Sequence, residues 1–176
     1  MLRLMLLRHA KAGRPGGAGD HERPLAGRGR EDGARMGRYM AAEGLLPDLA
    51  VVSSARRAQE TWSHVCPAFA RGVALRSDRR IYEAPAGTIL EVIGDTGPGV
   101  AALLLVGHNP GFHDLALRLA GKGKQADLDR LHQEYPTAGL VVVDFDAGSW
   151  RELFDGQGRL ERFETPGSIG KATGTG

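Results

Sequence analysis

The sequence predicts an α/β three-layer sandwich, a mainly parallel central sheet with helices on both faces. Three observations carry that expectation. Largely apolar runs of strand length recur at Leu2 to Leu7, Leu49 to Val52, Ala101 to Val106 and Leu140 to Val143, as in strands covered on both faces. Segments of helical periodicity alternate with them, the order that gives parallel strands joined by crossover helices. Two of the runs lead straight into Arg8-His9 and Gly107-His108, and open α/β sheets form their sites at such strand ends.

The elements follow in order. Leu2 to Leu7 is too short for a targeting segment, is followed at once by Arg8, His9 and Lys11, and reads as the first strand. Gly13 to Asp20 is a Gly/Pro-rich loop at the mouth of the sheet. Pro24 to Gly44 reads as a helix on the recurrence of Gly33, Gly37, Met40, Ala41 and Gly44, whose glycines weaken it but permit close approach to a sheet. After the strand Leu49 to Val52, Ser53 or Ser54 is expected to cap a helix running through Trp62 and Val65 to Pro67, with Arg57 in its first turn.

Val73 to Leu75 is a weak strand, and Thr88-Ile89-Leu90-Glu91 is a capping box opening a helix through Ile93. Ala101 to Val106 leads through Pro110 and Gly111 into a helix with Phe112, Leu115, Ala116, Leu119 and Ala120 on one face. Gly121 to Lys124 interrupts it. A short helix around Leu128 to Tyr135 and the strand Leu140 to Val143 follow. Trp150 to Phe154 and Leu160 to Phe163 are expected as closing edge strands about the turn Asp155 to Gly158.

A chain of 176 residues suits one domain, expected over 1–168, followed by a flexible tail over 169–176. The 23 basic and 21 acidic residues nearly balance, which argues against a nucleic-acid surface and makes clustered arginines a local matter. No segment approaches the roughly 18–20 apolar residues of a membrane span. The single cysteine, Cys66, excludes an internal disulfide framework and fits a reducing compartment. A cytoplasmic protein is expected, with Cys66 a buried structural thiol beside Pro67.

Three strand ends, Arg8-His9, Ser53 to Arg57 and Gly107-His108, bring two guanidinium groups and two imidazoles to one face. Two arginines match and offset the charge of a phosphoryl group. A histidine nucleophile divides phosphoryl transfer into two displacements through a covalent intermediate, and fixed cations stabilise the transferring group without a cofactor. Zinc is the rival for a histidine pair, but no His-x-x-x-His pair or cysteine cluster accompanies it, so no metal is expected. Gly13 to Gly19 lacks the Gly-Lys-Ser/Thr ending of a phosphate-binding P-loop and is read as a flexible rim. His64, His113 and His132, on expected helices, are structural or solvent-facing.

Leu7-Arg8-His9-Ala10, Ser54 to Thr61 and Gly107-His108-Asn109-Pro110-Gly111 together resemble the histidine phosphatase superfamily, which includes phosphoglycerate mutases and acid phosphatases. Asp20 to Leu25 and Tyr135-Pro136-Thr137-Ala138-Gly139 narrow the resemblance to its short SixA-like phosphohistidine phosphatase branch, over roughly Leu2 to Pro166. The resemblance implies a phosphoglycerate mutase-like fold. It makes His9 the residue that becomes phosphorylated and Arg8, Arg57 and His108 the phosphate-binding groups. Arg57 is preferred to Arg56 because the family arginine directly precedes the alanine matched by Ala58; on a helix the two point about 100° apart. Ser54 stands where proline is frequent and Ala10 where glycine is widespread, and neither change removes a reacting atom.

Larger phosphomonoesterases of the superfamily place a carboxylic acid over the leaving oxygen, and Glu83 lies in the matching region. Such an acid is kept protonated by desolvation or a neighbouring anion, whereas some short members lack a clear one. Asp20 to Leu25 is either a helix entry with Pro24 at its first turn or a support for the site through Asp20 or Arg23. His21 either assists Asp20, enters the pocket or faces solvent, and Arg56 faces solvent or a substrate group. The expected substrate is phosphohistidine in a partner protein, in signal transduction, reached through an open pocket without a large cap domain. A small phosphate ester and a non-catalytic module that recognises phosphorylated partners are the alternatives.

Overall fold

The computed structural model describes residues 1–172. Seven strands form one sheet in the order β3-β2-β4-β1-β6-β7-β5. In chain order these are β1 (Leu2–Arg8), α1 (Gly27–Ala42), β2 (Leu49–Ser53), α2 (Arg56–Val65), β3 (Ala74–Asp78), α3 (Ala86–Gly94), β4 (Ala102–Gly107), α4 (Gly111–Leu119), β5 (Ala120–Gly123), α5 (Gln125–Gln133), β6 (Leu140–Phe145), β7 (Gly158–Glu164) and α6 (Pro166–Ala172). Short 3-10 turns lie at Asp20–Glu22, Cys66–Ala68, Arg79–Ile81 and Trp150–Glu152. The pairs β1/β4, β2/β4, β2/β3 and β5/β7 are parallel, and only β6 runs antiparallel to its neighbours β1 and β7. This is the expected mainly parallel α/β sandwich.

The two-residue period of β1 divides the core. Leu4 and Leu6 pack with Ile89, Val92, Phe112, Leu115 and Leu131 from α3, α4 and α5. Met5 and Leu7 pack on the opposite face with Met36, Met40, Trp62 and Ile169 from α1, α2 and α6. Both faces are therefore covered, which is why the strands read as continuous apolar runs. The helices after β1 and β4 also leave toward opposite faces, so these adjacent strands open a crevice at their carboxyl ends.

Helix α1 can approach α2 because Gly37 lacks a side chain: a Cβ there would stand 2.4 Å from the Val65 carbonyl oxygen. Gly37→Ala is expected to destabilise the fold by about 1–3 kcal/mol, since a backbone carbonyl yields little and overpacking outweighs the gain in helix propensity. A urea midpoint equal to or above wild type contradicts this packing.

Several local expectations are corrected. Helix α1 begins at Gly27 rather than Pro24, because Leu25 pairs as a β-bridge with Ala12 and donates its N–H to Glu60. The cap of α2 is Ala55, not Ser53 or Ser54. Helix α3 starts at Ala86, so the Thr88 to Glu91 pattern lies inside it and caps nothing. Ala120 leaves α4, and Gly121 to Lys124, read as an interruption, mostly belongs to β5 beside β7.

Trp150 to Phe154 is not a strand: Ser149 Oγ accepts from Arg151 N–H to start a 3-10 turn, and the Trp150 indole donates to the Val100 carbonyl. Strand β7 is internal, with β5 on the edge. Helix α5 stops before Tyr135. Cys66 is half-buried rather than buried. Residues 169–172, expected in a flexible tail, lie in α6, with Ile169 packed in the core, while 173–176 fall outside the described residues.

Candidate active site

The crevice between β1 and β4 holds the two histidines. His9 N–H donates to the Gly107 carbonyl at 2.9 Å, tying the end of one strand to the other, and the imidazole centroids of His9 and His108 stand 5.2 Å apart. The segment Tyr135 to Gly139 closes over β1: Ala138 N–H is shared by the Arg8 and His9 carbonyls, and Arg8 N–H donates to Gly139. Beneath it the Tyr135 hydroxyl donates to the Leu6 carbonyl. From the other side, Ala10 N–H donates to Thr61 Oγ, which itself donates to the Arg57 carbonyl. Helix α2 and the His9 loop are thus locked together through buried Thr61.

His9 is 8% exposed, and its Nδ1 lies 2.8 Å from the Ala10 carbonyl. A carbonyl only accepts, so Nδ1 carries the proton and Nε2 keeps its lone pair. His108 has the complementary arrangement. Its Nδ1 accepts from Arg57 Nη2 at 3.3 Å, and its Nε2–H donates to Ser53 Oγ at 2.7 Å. Arg57, 4% exposed, is fixed further by the Asp20 backbone carbonyl and carboxylate, at 2.9 and 3.1 Å. Arg8 Nη1 donates to the Tyr135 carbonyl, which also accepts from Asn109. Buried Arg8 Nε, Arg57 Nε and Asn109 Oδ1 have no partner among the described residues.

These groups line a cleft of about 320 Å³ that also receives Lys11, Arg23, Asp20, Glu83 and Thr137. The sequence-derived quartet Arg8, His9, Arg57 and His108 converges there. Arg56 does not: it is paired at 2.9 Å with Glu60, one helical turn on. Glu83 sits on the rim with a 60% exposed side chain, its carboxylate 4.0 Å from Arg57. Arg23 joins Asp20 at 3.3 Å and the Gly13 carbonyl. His21 bridges Ser54 Oγ and Glu22 and meets the Tyr82 ring edge-on. His113 pairs with the Leu131 carbonyl outside the cleft.

Sequence reasoning missed Ser53, Thr61, Tyr82, Asn109 and the role of Tyr135. Ser53, one of the two serines expected to cap α2, instead closes β2 and meets His108; a serine ending a buried strand is the signal for it. Tyr82, next to Glu83, donates to the Asp20 carboxylate at 2.5 Å.

Burial lowers the basicity of both imidazoles. His9 is pushed down to about 4, first by desolvation, with Arg57 and Arg8 adding to it against the Ala10 hydrogen bond. His108 is pushed down to about 3 by desolvation, then by His9 and Arg57. Both are neutral at pH 7. An unfolded imidazole titrates near ~6.5, so below that pH the unfolded chain holds more protons than the native one. Stability present above pH ~6.5 is therefore lost as pH falls towards 4. The urea midpoint is expected to drop between about pH 7 and pH 5, and less steeply in His108→Gln; equal pH dependence in the two proteins contradicts the assignment.

The chain is 36% identical over 165 residues to an uncharacterised protein of Mycobacterium tuberculosis, covering 91% of this chain and 99% of the relative. The solved structure of SixA from Agrobacterium tumefaciens is 29% identical, with a TM-score of 0.76 over 94% of this chain and 98% of that one. A structure of the protein histidine phosphatase SixA complexed with tungstate, 18% identical, also has a TM-score of 0.76, over 96% and 99% of the two chains. No protein-family profile matches. In fold and in the motifs that converge on the cleft, the chain resembles the histidine phosphatase superfamily. Within it, the resemblance is to the SixA-like branch.

Proposed function

We propose that this protein is a metal-independent phosphatase that removes the phosphoryl group from phosphohistidine in a partner protein. One observation carries the reading: His9 presents an unprotonated Nε2 in a cleft where Arg8, Arg57 and His108 converge. Nε2 attacks phosphorus as the bond to the leaving imidazole breaks, and that imidazole takes up a proton. Water then attacks the phosphorus carried by His9, restoring the neutral imidazole and releasing inorganic phosphate. Arg8 and Arg57 offset the negative charge on the oxygens in both displacements. Buried guanidinium nitrogens without a partner among the described residues supply donors for this purpose.

The open cleft and the exposed position of Glu83 favour phosphohistidine over an ester, because an imidazole leaves with far less help than an alkoxide. The second reading, a small phosphate ester, rests on the same Glu83, 4.0 Å from Arg57 and able to face a leaving oxygen. Parallel assays on a phosphohistidine protein, a sugar phosphate, a nucleotide and an aryl phosphate separate the two. Phosphohistidine is expected to give the highest kcat/KM. Glu83→Gln is expected to leave phosphohistidine turnover nearly intact while reducing residual ester turnover by about 10²-fold, the scale of a lost general acid. Faster turnover of an ester by the wild-type protein supports the small-molecule reading instead.

A further inference from the structure

Asp20 is out of place in a site for anions. Its carboxylate bonds to Arg57 Nη2 at 3.1 Å, accepts the Tyr82 hydroxyl at 2.5 Å, and faces Arg23 at 3.3 Å. Arg57 has five N–H donors. Three are already committed, to the Asp20 carbonyl, the Asp20 carboxylate and His108 Nδ1. The Tyr82 hydroxyl foremost, then Arg23 and Arg57, hold the Asp20 acid well below the usual carboxylate range, so it is an anion at working pH. A phosphoryl group approaching His9 thus meets a negative charge already sharing the buried guanidinium.

The chain builds this contact deliberately into its loop. Gly19 adopts φ 90° and ψ 179°, a region essentially confined to glycine. It turns the Gly-rich loop back so that Asp20 opens a 3-10 turn over the cleft. Arg23 anchors the other end of that turn on the Gly13 carbonyl through Nε and Nη2. The Asp20 to Leu25 motif is therefore explained as a device that delivers one carboxylate to one arginine.

We propose that Asp20 is a positioning residue that acts as an internal counter-anion: it orients Arg57 and competes with bound phosphate for it, weakening the hold of the site on free phosphate. The inference rests on the phosphatase reading. A site with two arginines and no such competitor retains its product, and inorganic phosphate is a ground-state ligand whose tight binding opposes turnover. Tyr82 moderates the competition by drawing part of the carboxylate's hydrogen-bonding capacity away from Arg57.

Titration calorimetry with inorganic phosphate on the full chain tests this without any assay of turnover. Asp20→Asn keeps an oxygen acceptor for Tyr82 and Arg57 but removes the charge, and Arg23 retains its two bonds to Gly13. It is expected to bind phosphate about tenfold more tightly than wild type, the scale of one like charge removed a few ångströms away. Tyr82→Phe frees the carboxylate for Arg57 and is expected to bind phosphate a few-fold more weakly. Damage to the fold does not produce a gain in affinity, so the opposed signs separate a counter-anion from a structural role. Unchanged or weaker binding by Asp20→Asn, or tighter binding by Tyr82→Phe, overturns the proposal; absence of phosphate binding by both wild type and Asp20→Asn overturns the phosphatase reading beneath it.

Discussion

Replacing His9 with alanine is expected to lower kcat/KM for the phosphorylated substrate by about 10⁴-fold or more, the consequence of losing a nucleophile rather than a binding contact. The structure explains why the effect is so large. Among the described residues, Nε2 of His9 is the one imidazole nitrogen of the pair with no hydrogen-bond partner, since Nδ1 of His9 is held by Ala10 and both nitrogens of His108 are engaged by Arg57 and Ser53. His108 cannot substitute without giving up at least its bond from Arg57. The fold itself is expected to survive, because the His9 backbone, not its ring, ties β1 to β4. Steady-state kinetics with equal far-ultraviolet circular dichroism in the two proteins checks the prediction, and activity within tenfold of wild type contradicts it.

Arg57→Ala carries the second largest effect, a fall in kcat of about 10²–10³-fold, typical of removing one preorganised donor to a transition-state oxyanion. Arg57 also supports its neighbours: it donates to His108 Nδ1 and receives the Asp20 turn through two bonds. Arg57→Lys preserves the charge but not the planar fork, and is expected to recover only a small part of the loss. Arg56→Ala is the internal control. Its partner is Glu60 at the helix surface, and its loss is expected to change kcat/KM by less than about twofold, as for an exposed ion pair. Equal losses at the two positions contradict the assignment of Arg57 to the cleft.

What the sequence made legible follows from the range of the interactions concerned. Strands β1, β2, β4 and β6 are largely apolar because both faces are covered, and burial on that scale leaves a legible signature. The periodic face of α4 is equally plain. Strand β5, by contrast, is Ala-Gly-Lys-Gly, whose residues look like a loop; it is a strand only because β7, some 38 residues on, offers a paired edge. Trp150 looks like part of a strand because it is aromatic, whereas its burial comes from the distant Val100 carbonyl and the helical layer of α3.

The site divides in the same way. Arg8, His9, Arg57 and His108 stand at strand ends or at the first turn of a helix, and strand ends are readable. The groups that hold them are not. Ser53 meets His108 across 55 residues and Tyr82 meets Asp20 across 62, so their roles exist only once the sheet order is known. Glu83 lines the same cleft, but its exposure and its cationic neighbour depend on how the loop after β3 folds back over Arg57.

The central claim is that His9 itself carries the phosphoryl group. Mixing the protein with phosphorylated substrate, quenching in alkali within the first turnover and mapping phosphate by mass spectrometry tests it most directly. An acid-labile, alkali-stable phosphate on His9, absent from His9→Ala, is the expected result. Turnover by wild type with no phosphate on His9, together with full activity in His9→Ala, would contradict it.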